Sequence, residues 1–346
     1  MPRLTLPQTH RLVTETLMRC RTSGPNAEAV ADALVAAEEV GQAGHGLRRV
    51  PSYAAQALSG KVDGHATPVT RQGRPGLLTV DACHGFAYPA IDLAVNWLTT
   101  AAPQQGIAVA GITRSHHCGV AGVTVERLAD AGLVGIMFAN SPAAMAPWGG
   151  RRALFGTNPI AFAAPRPDGH PAIVVDVSLS KVARGKIMAA EQRGDMIPAG
   201  WALDAEGQET TDPKDALAGT MVPMGDAKGT ALALMVELLS AGLVGAHFGY
   251  EASSFFSAEG PAPGVGQMIL AIDPAAFAGP GGDQGQGSAA ALGRIDELAK
   301  AIEAESGARV PGTRRAELKR QAAAEGISVD DALLSEIEAF GRRDSA

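Results

Sequence analysis

Along residues 5 to 22 and 26 to 41 apolar side chains recur every three to four positions, the period that gathers them on one face of a helix. In the second segment Val30, Ala33, Leu34 and Ala37 share that face. Asn26 stands where an N-cap belongs, and Glu28 suits the positive end of the helix dipole. The stretch "GHGLRRVPSYAAQALSG", residues 44 to 60, then turns the chain, with Pro51 opening a further helix to about Leu58. From 76 to 175 the texture changes to short apolar runs, "LLTV", "IAVAGI", "VGIMFA", "IAFAAP" and "AIVVDV", set between glycine and proline turns as strands are. Between the first two, "PAIDLAVNWLTTAA" keeps a helical period.

Residues 229 to 249, "GTALALMVELLSAGLVGAHFG", approach the length of a membrane span. Glu237 falls mid-segment, His247 near its end, and glycines interrupt the run, so the segment is expected to be a buried core helix. The composition of 278 to 293, "AGPGGDQGQGSAAALG", predicts a surface loop. Helical "RIDELAKAIEAES" and "RRAELKRQAAAEG" follow, and then "SVDDALLSEIEAFGRR" with Ser328 expected as its N-cap. Helices at both ends and strands between them predict an α+β chain whose ends pack together.

The 346 residues are 46% hydrophobic and 19% charged, which excludes wholesale disorder and allows a sizeable core. A net charge of −7 with scattered basic residues argues against a phosphate backbone as partner. Cys20, Cys83 and Cys118 are odd in number and widely spaced, as in a reducing compartment. The opening "MPRLTLPQTHRL" lacks the apolar core of a secretion signal, so the expected location is cytoplasmic, with no membrane partner.

No strand leads into G-x-G-x-x-G, "ARGKI" lacks P-loop spacing, and H-E-x-x-H and C-x-x-C are absent. His116 and His117 are adjacent and cannot easily share one metal, so nothing in the spacing requires zinc. "GHGLRR" is more suggestive, because an arginine fork beside a histidine suits a carboxylate substrate that also exchanges a proton. A helix end closed by glycine with solvated arginines explains it equally well. "FGTNPIAFAAP" offers Thr157 and Asn158 at a turn, with Pro159 expected to hold Asn158 extended. "DVSLSKVARGK" brings Asp176 and Ser178 off a strand end, and "GDAKGTAL" puts Asp226 and Lys228 at a helix start.

Taken together, "GHGLRRVPSY", "SHHCGVAG", "GTNPIAFAAP", "VVDVSLSKVARGK", "IPAGWALDAEGQETTDP", "GDAKGTALALMVELL" and "RVPGTRR" resemble the malate/L-lactate dehydrogenase family of the sulfolactate and ureidoglycolate dehydrogenase type. They occur in family order across residues 40 to 315. Within it, "MVELLSAGLVGAHFGYEASSFF" is most similar to reductases of Δ1-pyrroline-2-carboxylate and Δ1-piperideine-2-carboxylate. The resemblance implies a non-Rossmann NAD(P)-binding domain with a largely antiparallel sheet over residues 71–285. It also implies a helical domain formed by both chain ends, 1–70 and 286–346, and a homodimer. The implied activity is NAD(P)H-dependent reduction of a cyclic imino acid to L-proline or L-pipecolate. A 2-hydroxy-acid dehydrogenase of the same fold is the alternative, and a non-catalytic small-molecule-binding homologue the second.

The family's Ser-x-His-x-Gly pattern maps onto Ser115, His117 and Gly119, which makes His117 rather than His116 the functional histidine. His45 and His117 are thereby implied as catalytic, and Arg49 and Thr157 as substrate-binding. The implied cofactor residues are Gly119, Val120, Ala121, Gly122, Val123, Asp176, Val177, Ser178, Lys186, Asp226, Lys228, Arg309, Pro311, Gly312 and Arg315. The arginines of "RVPGTRR" favour NADPH, with NADH possible, and no metal is implied. Two departures stand out: Gly44 replaces the family's serine before His45, and Lys186 occupies a position where some imino-acid reductases carry Asp.

Overall fold

The computed structural model describes residues 2–277 and 284–341. Seven strands form one sheet, in the spatial order Val69–Arg74, Leu77–Asp81, Ile107–Ser115, Val265–Ile272, Val134–Ala139, Ile160–Ala164 and Ile173–Val177. Only Leu77–Asp81 and Ile107–Ser115 run parallel. A parallel pair needs a long crossover, and the helix Ala87–Gln105 supplies it. That helix buries Ile91, Ala94, Val95 and Leu98, joining the main core that also holds Ile112, Met137 and Ile269. Each fully buried Leu, Ile or Met of this kind contributes ~1.5–3 kcal/mol.

The chain ends meet: Arg3–Leu4 pairs antiparallel with Ile327–Ser328, and the helix Leu6–Arg19 packs against both Gly24–Glu39 and Asp331–Gly341. A second, smaller core forms around Met145, Leu179, Ile187, Ala202 and Val236. It lies under a three-stranded sheet centred on Ala202–Leu203 and under the helices Arg184–Arg193 and Ala227–Glu237.

Four sequence expectations change. The second helix starts at Gly24, so Asn26 is not its cap; the Asn26 amide instead donates to the carbonyls of Gly64 and Ala66, each at 2.9 Å. Ser328 is held in a strand opposite Arg3, and the Asp330 carboxylate accepts from the amides of Ala332 and Leu333 in its place. Of the expected loop 278–293, residues 278–283 lie outside the described residues, and from Gln284 the chain is helical as Gln284–Ala304. The apolar run after residue 229 is a helix only to Glu237, then a wider π turn over Leu238–Gly242. One side of it is not buried: Leu234 is 46%, Leu238 53% and Leu243 72% exposed. No described helix is long and apolar enough to cross a membrane.

Candidate active site

The helix Gly24–Glu39 ends in two short 3-10 turns, Ala43–His45 and Leu47–Arg49, which run directly into the helix Val50–Ser59. A Cβ at Gly46 would collide with the Glu38 carboxyl, which accepts from the Leu47 amide at 2.7 Å and so pins the turn. Nothing lies within 4 Å of a Cβ at Gly44, so the missing serine is not excluded by space. Arg49 is buried at 8% exposure, its Nε donates to the Gly44 carbonyl at 2.9 Å, and its guanidinium lies 4.6 Å above the Phe256 ring. Its Nη1 is buried and has no partner. Arg48, by contrast, is exposed.

The strand Ile107–Ser115 delivers the two histidines to this turn from the sheet. His117 Nε2 stands 3.1 Å from His45 Nδ1, with ring centroids 5.0 Å apart and planes 14° from parallel. The other nitrogen of His117, Nδ1, is 2.6 Å from the Tyr53 hydroxyl, which lies 3.0 Å from the Tyr88 hydroxyl. His116 points elsewhere. Its Nε2 pairs with Gln56 Oε1 at 2.8 Å, and its ring packs on Tyr53, Phe86 and Phe255. Alternation along an extended segment explains the opposite orientations.

Burial, reinforced by the nearby Arg49 charge, lowers the His45 pKa to about 4, lowers His116 to about 3 and holds His117 well below the usual imidazole range. Burial also raises the Tyr53 phenol to about 12 and Tyr88 well above its ordinary value. At neutral pH the cluster is therefore a set of neutral rings beside one fixed cation.

After His117 the chain turns at Gly119, whose φ of 70° favours glycine, and enters the helix Ala121–Asp130. Val120 and Ala121 are buried, and Val123 packs with Ala37, Val40 and Val120. The Gly122 amide donates to Asp176 Oδ2 at 2.8 Å, and a Cβ there would meet both the Asp176 carboxylate and Arg315 Nη1. Arg315 Nε is buried without a partner, while its Nη2 faces Glu126 at 3.4 Å. The Pro311 carbonyl accepts from the Val174 amide at 3.0 Å, and Gly312, with φ 104°, sits where a side chain would strike Ala172 and Val174. Thus the turn, Asp176, Pro311, Gly312 and Arg315 converge, with Arg309 exposed at their edge and Val177 38% exposed.

The remaining candidates gather elsewhere. Through its backbone Thr157 takes the Leu179 amide on its carbonyl at 2.8 Å and gives its own amide to Ser141. Ser178 pairs with Ser180, and Leu179 receives the Met224 amide, which brings the Asp226 turn alongside. Asp226 has φ 59° and, like Lys228, is exposed. Lys186 lines a cavity of about 310 Å³ with Arg193, Met196, Pro198 and Trp201. Asn158 is not simply extended: its φ is 39°, and its side-chain amide is tied to Ala233 O and Glu237 Oε2. Asparagine tolerates this region better than most residues.

Sequence reasoning missed Tyr53, Tyr88 and Gln56. Tyr53 lies four residues after Arg49 at the start of the same helix, a spacing that marks a shared face; Tyr88 and Gln56 carry no such local signal. Glu237 had been noted only as an interruption. It is a buried carboxylate receiving the side chains of Asn140 and Asn158 and the Gly249 amide, and burial raises its pKa. Among the described residues no group of three His, Cys, Asp or Glu side chains is arranged to hold a metal ion.

The profile of the malate/L-lactate dehydrogenase family matches residues 4–338. A (2R)-3-sulfolactate dehydrogenase (NADP(+)) of Chromohalobacter salexigens is 52% identical over 314 residues, 91% of this chain and 90% of that protein. A Δ1-pyrroline-2-carboxylate/Δ1-piperideine-2-carboxylate reductase of Pseudomonas aeruginosa is 40% identical over 98% of this chain and 99% of its own length. The crystal structure of the Δ1-piperideine-2-carboxylate reductase from Pseudomonas syringae superposes with a TM-score of 0.89 at 35% identity, covering 98% of this chain and all of that one. The chain belongs to the malate/L-lactate dehydrogenase family and is an oxidoreductase.

Proposed function

We propose that this chain uses NADP(H) to exchange a hydride at C2 of a small carboxylic acid, with a 2-hydroxy acid of the sulfolactate kind and its 2-oxo partner as the favoured pair. The observation that carries this reading is the unpartnered, buried Arg49 Nη1 four residues after the neutral, hydrogen-bonded His45. A buried guanidinium nitrogen without an acceptor is costly, and a substrate carboxylate satisfies it with a charge-assisted bond. A neutral imidazole is then ready to take the proton of a 2-hydroxyl as the C2 hydride departs, and to return it in the reverse direction. His117 holds His45 in orientation through the Nδ1 bond, leaving Nε2 of His45 for the reacting oxygen. The 52% identity to a sulfolactate dehydrogenase supports the hydroxy-acid class, as does Lys186 in place of Asp.

The cyclic imino acid reading implied by the sequence resemblance remains the second. It is favoured by the 40% identical reductase matched over nearly its whole length and by the neighbouring piperideine-2-carboxylate reductase structure. A ring imine that arrives protonated needs no acid, so neutral histidines are compatible with it too.

For the cofactor, the close approach at Gly122 and the orphaned Arg315 Nε fit an anionic, hydroxyl-bearing ligand, with Asp176 to accept from a ribose hydroxyl and Arg315 to meet a phosphate. Bound there, the nicotinamide supplies or accepts the hydride at C4. The exposed Leu234, Leu238 and Leu243 give a second copy an apolar surface to cover, which supports the homodimer.

Following NADPH absorbance with 3-sulfopyruvate, oxaloacetate, pyruvate, Δ1-pyrroline-2-carboxylate and Δ1-piperideine-2-carboxylate side by side tests both readings. The favoured reading expects the highest kcat/KM with a 2-oxo acid. Preference for either ring imine selects the second, and turnover of none supports a non-catalytic role.

A further inference from the structure

Behind His45 the polar atoms form an unbroken line: His45 Nδ1 to His117 Nε2 at 3.1 Å, His117 Nδ1 to Tyr53 Oη at 2.6 Å, and Tyr53 Oη to Tyr88 Oη at 3.0 Å. Tyr88 in turn lines a cavity of about 520 Å³ shared with Cys118, Val120 and Val123. We infer that His117, Tyr53 and Tyr88 relay the substrate's proton between His45 and this cavity, an inference that rests on His45 being the group that exchanges the proton. Every atom in the line belongs to a group that both donates and accepts, which a relay requires and an ordinary buried hydrogen bond does not.

The proton balance is explicit. In the oxidising direction the 2-hydroxy acid loses a hydride from C2 to the oxidised nicotinamide and a proton from its hydroxyl to His45 Nε2. His45 passes its Nδ1 proton to His117 Nε2, His117 passes its Nδ1 proton to Tyr53, Tyr53 passes its own to Tyr88, and Tyr88 gives its own to water in the cavity. One proton enters and one leaves, and the two imidazoles end in the opposite tautomers. Reduction runs the same line backwards and restores them, and before a second oxidation the two rings and two hydroxyls must turn over to restore the starting tautomers. Because burial disfavours imidazolium at His45 and His117 and phenolate at Tyr53 and Tyr88, no member is a stable resting place for charge. A neutral line of this kind passes a proton on rather than storing it.

The far end suits an outlet. The cavity is lined by five carboxylates, Asp32, Glu39, Asp92, Glu126 and Asp130, against two cations, Arg127 and Lys319. The excess of carboxylates gives the cavity a negative potential that favours uptake of a proton, and its Val120, Val123 and Glu126 wall adjoins the Gly122 and Arg315 corner. Gly119 keeps the end of the line open, since a Cβ there would come within 2.9 Å of the Tyr88 hydroxyl. The competing explanation is that Tyr53 and Tyr88 merely satisfy each other in the core. It predicts effects on stability and none on proton kinetics.

The test follows hydride and proton together in stopped flow, using NADPH absorbance and a pH indicator with the best 2-hydroxy acid substrate, for wild type, Tyr53→Phe, Tyr88→Phe and the double variant. Each single variant is expected to slow the chemical step by ~10-fold or more, up to the ~10²-fold at the lower end of acid–base effects, with KM held. The solvent deuterium effect should change from a curved, several-proton dependence on deuterium content to a linear one. The double variant should be no slower than the worse single one, because a line is severed only once. An unchanged solvent isotope effect in Tyr88→Phe, or losses that multiply in the double variant, would overturn the relay while leaving the enzyme assignment intact. Wild-type turnover of ring imines alone would overturn the hydroxy-acid reading, and the relay with it.

Discussion

His45 Nδ1 and His117 Nε2 are 3.1 Å apart, so a single hydrogen lies between two rings from different elements, one on a helix-ending turn and one after a sheet strand. Whichever ring donates, the other must accept, and the pair fixes each other's tautomer. His116, one residue away, is bonded to Gln56 and has no such partner on the catalytic side. Replacing His117 by Ala should therefore lower kcat by ~10²-fold or more through loss of this coupling. His116→Ala should cost stability instead, ~1–3 kcal/mol from the stranded Gln56 carbonyl, with a smaller effect on kcat. Thermal unfolding and steady-state kinetics on both variants check this. Equal loss of kcat with unchanged Tm in both would contradict it.

The same burial gives stability a pH dependence of known sign. His45 titrates at about 4 and His116 at about 3 in the folded chain, against about 6.5 when unfolded. At these two histidines the unfolded chain binds more protons than the folded one below pH 6.5, so their contribution to stability falls as pH drops, opposed at the acid end by Glu237, whose carboxyl pKa burial raises. For His45 the loss runs from about 6.5 down to about 4, and for His116 down to about 3, each histidine contributing up to ~1.4 kcal/mol per pH unit. Above pH 7.5 these residues add no slope. The drop in Tm from pH 7.5 to 6.5 to 5.5 should be smaller in His116→Ala than in wild type, and an equal drop in both would show that burial does not hold the His116 ring neutral.

The strands were legible because their apolar runs and glycine turns are local properties: Val134–Ala139, "VGIMFA", carries no polar residue, and its alternation of half-buried and buried positions comes from the sheet rather than from the sequence. "GHGLRR" was legible as chemistry because the histidine and the arginine fork are neighbours in the chain. What failed did so through tertiary competition. Ser328 has the chemistry of a cap, but pairing with Arg3 across the two chain ends takes it into a strand. The run after residue 229 is apolar on every side, which sequence reads as burial, yet the chain covers only one side of it. Tyr88 could not be read at all, because its proposed role depends on Tyr53, 35 residues earlier, and on a cavity lined from four helices.

The proposed cofactor site makes the Arg315 corner the test of cofactor choice. Arg315 Nη1 lies near Gly122, its Nε has no partner, and its ion pair with Glu126 is long at 3.4 Å, so the guanidinium is available to a phosphate. Arg315→Ala should raise KM for NADPH far more than for NADH, since only NADPH carries the 2′-phosphate. Arg309→Ala, at an exposed position, should have the smaller effect. An unchanged NADPH to NADH ratio in both variants would place the 2′-phosphate elsewhere, and Lys186 beside Trp201 would be the next position to change.

Arg49 offers the sharpest test of substrate binding. Its Nε is committed to the Gly44 carbonyl and its face to Phe256, so the guanidinium plane is fixed and Nη1 is presented without a partner. Lysine keeps the charge, but it cannot bond Gly44, lie flat on the ring and present a second donor at once. Arg49→Lys should therefore lower kcat/KM by ~10²-fold, the loss expected when a substrate is misplaced by about 1 Å. Cofactor affinity should hold, because Arg49 touches none of the Gly122, Asp176 and Arg315 group. Arg48→Lys is the control: Arg48 is exposed, and the change should be close to neutral. Titrating both variants with a carboxylate substrate and with its methyl ester separates the causes. Wild type should discriminate strongly against the ester and Arg49→Lys only weakly, since the discrimination comes from the charge-assisted bond to Nη1. If Arg49→Lys keeps the full preference for the acid, the carboxylate is bound by another cation and the Arg49 assignment fails.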